Sequence, residues 1–273
     1  MLVCADADVT LAARSAVWGR FCNAGQSCVA PQRIYVAAEV YNSFLQECQT
    51  QIQTLRPGVD YGPMRTDALR SRANALVWDA VARGATLLAG GRSLEERPGF
   101  YYAPTLLSNC QDTMLVMEQD FFGPVLAVSV VANEAEAISR ANDCELALGA
   151  SVWTRNLRHG SQVAAQLKVG LVAINELLLD AADPSLPFGG FRASGFGKQR
   201  GAMGLEEFTQ WRVTVLHRSN GLRRHLFPYR AATLPILQGI TALKSAKGLP
   251  AKLHALRNLT KAVMQWQKVD AEK

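Results

Sequence analysis

Apolar positions along the chain alternate between two spacings, and together they predict helices alternating with strands. From Asp6 to Phe21, alanines, valines and Trp18 recur at three- and four-residue steps, which predicts a helix. Arg33-Ile34-Tyr35-Val36 is a short β-branched and aromatic run, which predicts a strand. Val40 to Leu55 is amphipathic and is closed by Pro57-Gly58. A further helix is predicted from Thr66 to Arg83, ended by Gly84. The strand Ala85 to Leu88 follows, with a break at Gly90-Gly91. Val125 to Val131 is almost continuously apolar, as in a strand buried on both faces of a parallel sheet. Helix Glu134 to Asn142, strand Gly149 to Trp153, helix Leu157 to Leu167 and strand Gly170 to Asn175 complete the series. Such alternation predicts an α/β fold with an open, mainly parallel sheet flanked by helices. No internal repeat or low-complexity tract interrupts it.

Past Trp211 the pattern changes. Val213 to Leu216 reads as a strand. Arg223, Arg224 and Arg230 then lead to the apolar stretch Leu234 to Leu237. Pro250 opens a predicted helix in which Leu253, Leu256, Leu259, Val263 and Trp266 recur at three- and four-residue steps. Lys252, Arg257, Lys261 and Lys268 lie off that stripe. Charge changes at the same place. Residues 1–211 carry 17 Lys and Arg against 21 Asp and Glu, whereas residues 212–273 carry 12 against 2. Two domains are therefore expected, an α/β body over 1–211 and a strand plus basic helical tail over 212–273. A basic amphipathic helix folds back on its own domain, contacts another subunit, or makes peripheral membrane contact on an anionic surface. The tail shows no aromatic interleaving, so no nucleic acid is expected.

The 273 residues are 49% hydrophobic and 19% charged, which excludes a disordered polyampholyte, a collagen and a multi-span membrane protein. No run approaches the ~18 consecutive apolar residues of a membrane helix. Met1 opens onto no signal-like segment, so a cytoplasmic location is expected, with membrane association through 219–273 left open. The six cysteines form no C-x-x-C pair and are expected as free thiols, although Cys22 is near enough to Cys28 for oxidative pairing. His159, His217, His225 and His254 show no ligand spacing with cysteine, so no metal is expected. In α/β domains working residues lie at the carboxyl ends of strands. The glycine-rich stretch Leu186 to Gly197 follows the strand ending at Asn175. Its glycines, interleaved with aromatics, imply backbone packed closely against a ligand or a partner subunit.

Three segments carry a pattern beyond periodicity: Asn23-Ala24-Gly25-Gln26-Ser27-Cys28, then Glu118 to Val125 with Phe122-Gly123-Pro124, then Pro187-Phe188-Gly189-Gly190 with Ser194-Gly195. Together and in this order they resemble the aldehyde dehydrogenase superfamily, with lesser matches at Gly62-Pro63, Gly84-Ala85 and Pro104-Thr105-Leu106. The resemblance implies oxidation of an aldehyde to a carboxylic acid with NAD or NADP. Cys28 is the implied nucleophile, which would pass through a thiohemiacetal and a thioester. Asn23, Gly25 and Gln26 are implied as loop supports. Asp120 and Phe122 are implied on the cofactor side, Asp120 one methylene shorter than the family's usual Glu. Asn175 and Phe188 are candidates for the substrate site.

The resemblance begins just after the family's E-L-G-G-K motif. The cofactor-binding half, with its general base and oxyanion-hole asparagine, is therefore expected elsewhere. A split enzyme with a complementary N-terminal half chain, a fragment of a longer enzyme, and a drifted non-redox chain all remain open. Cofactor-independent thioester or ester hydrolysis and a non-catalytic assembly role are the alternative functions. The expected partners are a small-molecule aldehyde and a second copy in a homo-oligomer.

Overall fold

A computed structural model describes residues 1–177, 183–216 and 229–271, with side chains described as far as Trp266. The chain divides into two compact units, Met1–Trp211 and Arg212–Lys273.

The first unit is built on a seven-stranded sheet. Its strands are β1 (Leu2–Val3), β2 (Arg33–Ala37), β3 (Thr86–Ala89), β4 (Thr105–Ser108), β5 (Val125–Val131), β7 (Gly149–Trp153) and β8 (Leu171–Ile174), in the order β3-β4-β5-β2-β1-β7-β8. Every pairing is parallel except β3 with β4. Helices cover both faces: α1 (Val9–Phe21), α2 (Ala38–Thr54), α3 (Asp67–Ala82), the single turn α4 (Leu115–Glu118), α5 (Glu134–Asn142) and α6 (Leu157–Ala164). A short ribbon of β6 (Leu146–Ala147) and β9 (Phe191–Arg192) and the helix α7 (Gly201–Glu206) complete the unit.

Strand side chains alternate between two cores, as a pleated strand requires. Leu2, Tyr35, Val125, Ala127 and Val152 join Ala73, Leu76, Val77 and Val163 of α3 and α6. Val3, Ile34, Val36, Leu126, Val128 and Trp153 join Ala12, Ala16, Val17, Phe44 and Cys48 of α1 and α2. This double cover explains why β5 is apolar at nearly every position rather than at every second one.

The predicted elements recur with shifted ends. The first helix begins at Val9 rather than Asp6, because Asp8 accepts the Leu11 N–H and caps it. The helix predicted to Leu167 ends at Ala164. Strands β1, β4, β6 and β9 are two to four residues long, too short for periodicity to register.

In the second unit, α8 (Thr233–Ser245) and α9 (Leu249–Ala271) pack together as a helical hairpin. Ala232 and Ile236 meet Ala262 and Trp266, with Leu259 and Val263 packed against them. Gly239 allows the close crossing: a Cβ there would lie 3.0 Å from Leu259. The predicted apolar stripe therefore divides. Leu259, Val263 and Trp266 turn inward, while Leu253 and Leu256 stay 58% and 47% exposed. The strand expected over Val213–Leu216 is not formed. These residues are exposed and pair with no strand among the described residues, and β-propensity without a neighbouring edge does not make a strand. Arg223 and Arg224 lie outside the described residues.

Candidate active site

The loop after α1 is shaped by an unusual backbone. Asn23, Ala24 and Gly25 are all left-handed, at φ of 52°, 52° and 71°. Each non-glycine residue in this region costs about 1–2 kcal/mol, so the surroundings must hold it. Asn23 Nδ2 donates to the Gln26 carbonyl at 3.1 Å, and the Gln26 N–H donates to the Asn23 carbonyl at 3.1 Å. Gln26 Nε2 donates to the Asn23 and Pro63 carbonyls, and Gln26 Oε1 accepts the Arg65 N–H at 2.8 Å. One glutamine thus ties the loop to the segment before α3. Gly25 lies so close to Gly123 that a Cβ would stand 2.1 Å from the Gly123 carbonyl oxygen. Two segments distant in sequence, N-x-G-Q-x-C and F-G-P, are thereby packed backbone to backbone.

Beyond this anchor, the Ala30 N–H donates to the Ser27 carbonyl at 3.2 Å and closes a turn that presents Cys28. Cys28 is exposed and lines a cleft of about 370 Å³. Asp120, Glu176, Phe188 and Ser194 line the same cleft, as does a second thiol, Cys144. The first residues of β2, β7 and β8 form part of its wall, so it opens at the amino ends of the parallel strands. This corrects the expectation of a site at their carboxyl ends. There β2 runs directly into α2, and only Ala132 and Asn133 separate β5 from α5, which leaves little room for a cleft.

The Asp120 backbone is held by Arg72, whose Nη2 donates to its carbonyl at 2.8 Å. Phe122 is 38% exposed beside the buried Phe121. Asn175 ends β8 in a left-handed conformation and does not line the cleft. Its amide is taken up by Thr154, accepting from the N–H at 3.0 Å and donating to the carbonyl at 2.9 Å. Phe188 exchanges backbone hydrogen bonds with Gln199, and the Arg200 guanidinium lies 4.8 Å from its ring centre. The glycine-rich stretch is seated against the entry to β8, where a Cβ on Gly170 would stand 1.7 Å from the Gly189 carbonyl oxygen. Ser194 Oγ accepts the Ala147 N–H at 2.9 Å and anchors the same stretch to β6.

Residue patterns missed Arg20. It is only 1% exposed and lies 4.6 Å over the Phe121 ring, with Nη2 donating to the Phe121 carbonyl at 3.5 Å. Burial lowers its pKa to about 10, partly offset by Asp120. The available signal was its spacing: Arg20 stands three residues after Val17 and four after Ala16, on the buried stripe of α1. Three other thiols are held protonated. Burial pushes Cys4 up to about 11, with help from Glu134 and Asp6, and Cys110 up to about 12. Burial raises Cys48 as well.

The geometry defines the class as a doubly covered α/β domain that presents an exposed thiol on a constrained loop, with a carboxylate and an aromatic residue in the same cleft. Comparison with known proteins gives the family. A profile of the Aldehyde dehydrogenase family matches residues 1–214. The chain is similar to a probable succinate-semialdehyde dehydrogenase [NADP(+)] of Synechocystis, 39% identical over 213 residues, 76% of this chain and 46% of the relative. It is similar to the 4,4'-diapolycopene aldehyde oxidase of Methylomonas, 38% identical over 237 residues, 85% of this chain and 44% of the relative. Among solved structures it resembles a Mycobacterium tuberculosis aldehyde dehydrogenase complexed with NAD+, at a TM-score of 0.73 and 31% identity, covering 77% of this chain and 44% of that one. The chain belongs to the aldehyde dehydrogenase family. It spans about half the length of the relatives it matches.

Proposed function

We propose that residues 1–211 are the catalytic domain of an NAD(P)-dependent aldehyde dehydrogenase and work with a complementary N-terminal half. The observation that carries this reading is the placement of Cys28. The loop is held from three sides, and its thiol faces the same cleft as Asp120 and Phe188.

An aldehyde has no leaving group, so a nucleophile must add to its carbonyl before hydride can depart. Cys28 Sγ adds to the carbonyl carbon, and the carbonyl oxygen takes up negative charge. Val29, Leu146, Leu148 and Leu171 give the cleft an apolar wall alongside polar groups such as Gln32 and Glu176, and a less polar surround strengthens dipoles near the adduct. Loss of hydride leaves a thioester on Cys28. Attack by water breaks its C–S bond, releasing the carboxylic acid and returning the thiol. Bound NAD or NADP supplies the hydride acceptor. The residues present fit it: Asp120, in the cleft, offers carboxylate acceptors for ribose hydroxyls, and Phe122, which does not line the cleft, offers a partly exposed ring two residues on. The relatives' names and the NAD+ complex support NAD or NADP as cofactor.

The test is reconstitution. The chain mixed with an N-terminal half from a relative should reduce NAD or NADP in the presence of an aldehyde, and Cys28→Ser should abolish this. An active Cys28→Ser mixture would sink the reading. So would steady turnover by the chain alone.

One observation favours a lipophilic aldehyde delivered at a surface. The match to the diapolycopene aldehyde oxidase covers 85% of the chain, about 232 residues, and so enters the basic tail, whereas the Synechocystis match covers 76%. The tail hairpin leaves Leu249, Leu253, Leu256 and Met264 exposed beside Lys252 and Arg257. No described helix is long and apolar enough to cross a membrane. Interfacial binding is the mode this surface supports, each basic residue near an anionic surface contributing ~1 kcal/mol. Sedimentation with anionic vesicles should be salt-sensitive and weakened by Leu253→Glu/Leu256→Glu. Binding unaffected by salt and by that variant would count against it.

A further inference from the structure

We propose that Cys4, Glu134 and His159 form a binding site for a borderline-soft divalent cation of the zinc type. The site is separate from the Cys28 cleft, which none of the three lines.

The three residues lie far apart in sequence, yet the fold brings them together at the carboxyl ends of three parallel strands of the sheet. Cys4 follows β1, Glu134 opens α5 after β5, and His159 lies in the first turn of α6 after β7. α5 packs across β2, which carries Glu134 to the end of β1. The thiol sulfur, an imidazole nitrogen and a carboxylate oxygen all lie within 4.8 Å of one another, and each residue is half-buried. His159 Nε2 stands 2.5 Å from Glu134 Oε2.

The contact between His159 and Glu134 accounts for two members but not for the third. Among the described residues, Cys4 Sγ makes no hydrogen bond, although it faces a carboxylate and an imidazole. The ligand chemistry is that of zinc: one sulfur, one nitrogen and one oxygen, with an open fourth position for water. In a tetrahedral site, bonds of about 2.0–2.3 Å place ligand atoms roughly 3.4 Å apart. The Glu–His contact at 2.5 Å would open to that spacing around an ion, and the thiol already lies within 4.8 Å of both partners.

The backbones need not move, because each is already fixed. The Cys4 N–H donates to the Trp153 carbonyl at 3.0 Å. Asn133 caps α5 one residue before Glu134, and Asn156 Oδ1 accepts the His159 N–H at 3.1 Å. Ligands on braced element ends are the arrangement a preorganised site requires. A bound ion would clip β1, α5 and α6 together. Sequence spacing cannot reveal such a site, because each residue comes from a different crossover.

The test is cobalt titration of the chelator-treated full chain, in a Cys22→Ser/Cys28→Ser background that removes the exposed thiols. One Co2+ per chain should bind and produce a thiolate-to-cobalt charge-transfer band, and Zn2+ should displace it. Cys4→Ser should remove the band, and His159→Gln should weaken affinity at least tenfold. The band in the Cys22→Ser/Cys28→Ser chain itself does not depend on the Cys4 and His159 variants folding. Absence of binding, binding without the band, or unchanged affinity in His159→Gln would overturn the proposal.

Discussion

At the scale of single residues, the loop bearing Cys28 depends on Gly25 and Gln26 more than on any contact of the thiol. Gly25→Ala introduces a methyl 2.1 Å from the Gly123 carbonyl oxygen, at a φ of 71°. Strain and collision together should cost at least about 2 kcal/mol, read as a lower urea midpoint with an unchanged slope. A second residue-scale prediction concerns the thiols. Only a thiolate alkylates rapidly, and burial holds Cys4 near 11 and Cys110 near 12. Limiting iodoacetamide at neutral pH should therefore label the exposed Cys28 before either, as peptide mapping would show. Cys4 modified first would contradict the burial argument. Arg20 belongs at this scale too. Arg20→Ala leaves a void beside Phe121 and removes a donor from its carbonyl, and about 3 kcal/mol of destabilisation is expected.

At the scale of elements, helices on both faces of one sheet decide where chemistry has room. The helices follow closely on the carboxyl ends of β2 and β5, whereas the loop over 22–32 has space to stand open at the amino end of β2. The tail hairpin is an element with few supports of its own. Its core is Ile236, Ala262 and Trp266 with Leu259 and Val263 beside them, and the Arg230 guanidinium lies 4.9 Å from the Trp266 ring. Trp266→Ala should cost about 3 kcal/mol, more than so small a core can spare. Amide protection should be lost across α8 and α9 while β5 and β2 stay protected. Loss of protection in the sheet as well would show that the two units do not unfold independently.

At the scale of the whole molecule, two properties are expected. The first is alkaline sensitivity. In the metal-free chain, Cys4 and Cys110 have folded pKa values raised by burial, from about 8.5 in the unfolded chain to about 11 and 12. Their contribution to stability is complete below the unfolded value and is lost as pH rises through the folded ones. The urea midpoint should hold steady below about pH 8.5 and fall progressively above it; a midpoint that rises over that range would reverse the sign. The second is self-association. Phe196, Phe208 and Trp211 are 101%, 90% and 84% exposed, large apolar side chains of the kind that a partner commonly covers. Phe208→Ser/Trp211→Ser should shift sedimentation toward the monomer, and an unchanged distribution would place the contact elsewhere.

Much of this was legible in the residues alone. Continuous apolar runs and helical spacing predict the parallel sheet and its flanking helices, because burial on two faces leaves its mark on every position of a strand such as β5. The loop ending at Cys28 was legible in part, since its Asn-x-Gly-Gln arrangement closes a local turn between Asn23 and Gln26, whereas the bonds of Gln26 to Pro63 and Arg65 depend on a distant segment. What depends on distant neighbours was not. The two-residue strand β1 becomes an interior strand of the sheet only because β2 and β7 supply its hydrogen bonds, and Val213–Leu216, with equal propensity, pairs with no strand among the described residues. Val263 and Trp266 share a stripe with Leu253 and Leu256, yet α8 covers only the first two. The contact of Gly25 with Gly123 and the meeting of Cys4, Glu134 and His159 were likewise tertiary decisions. Periodicity records which side of an element is buried, whereas the identity of what buries it is set by long-range crossovers.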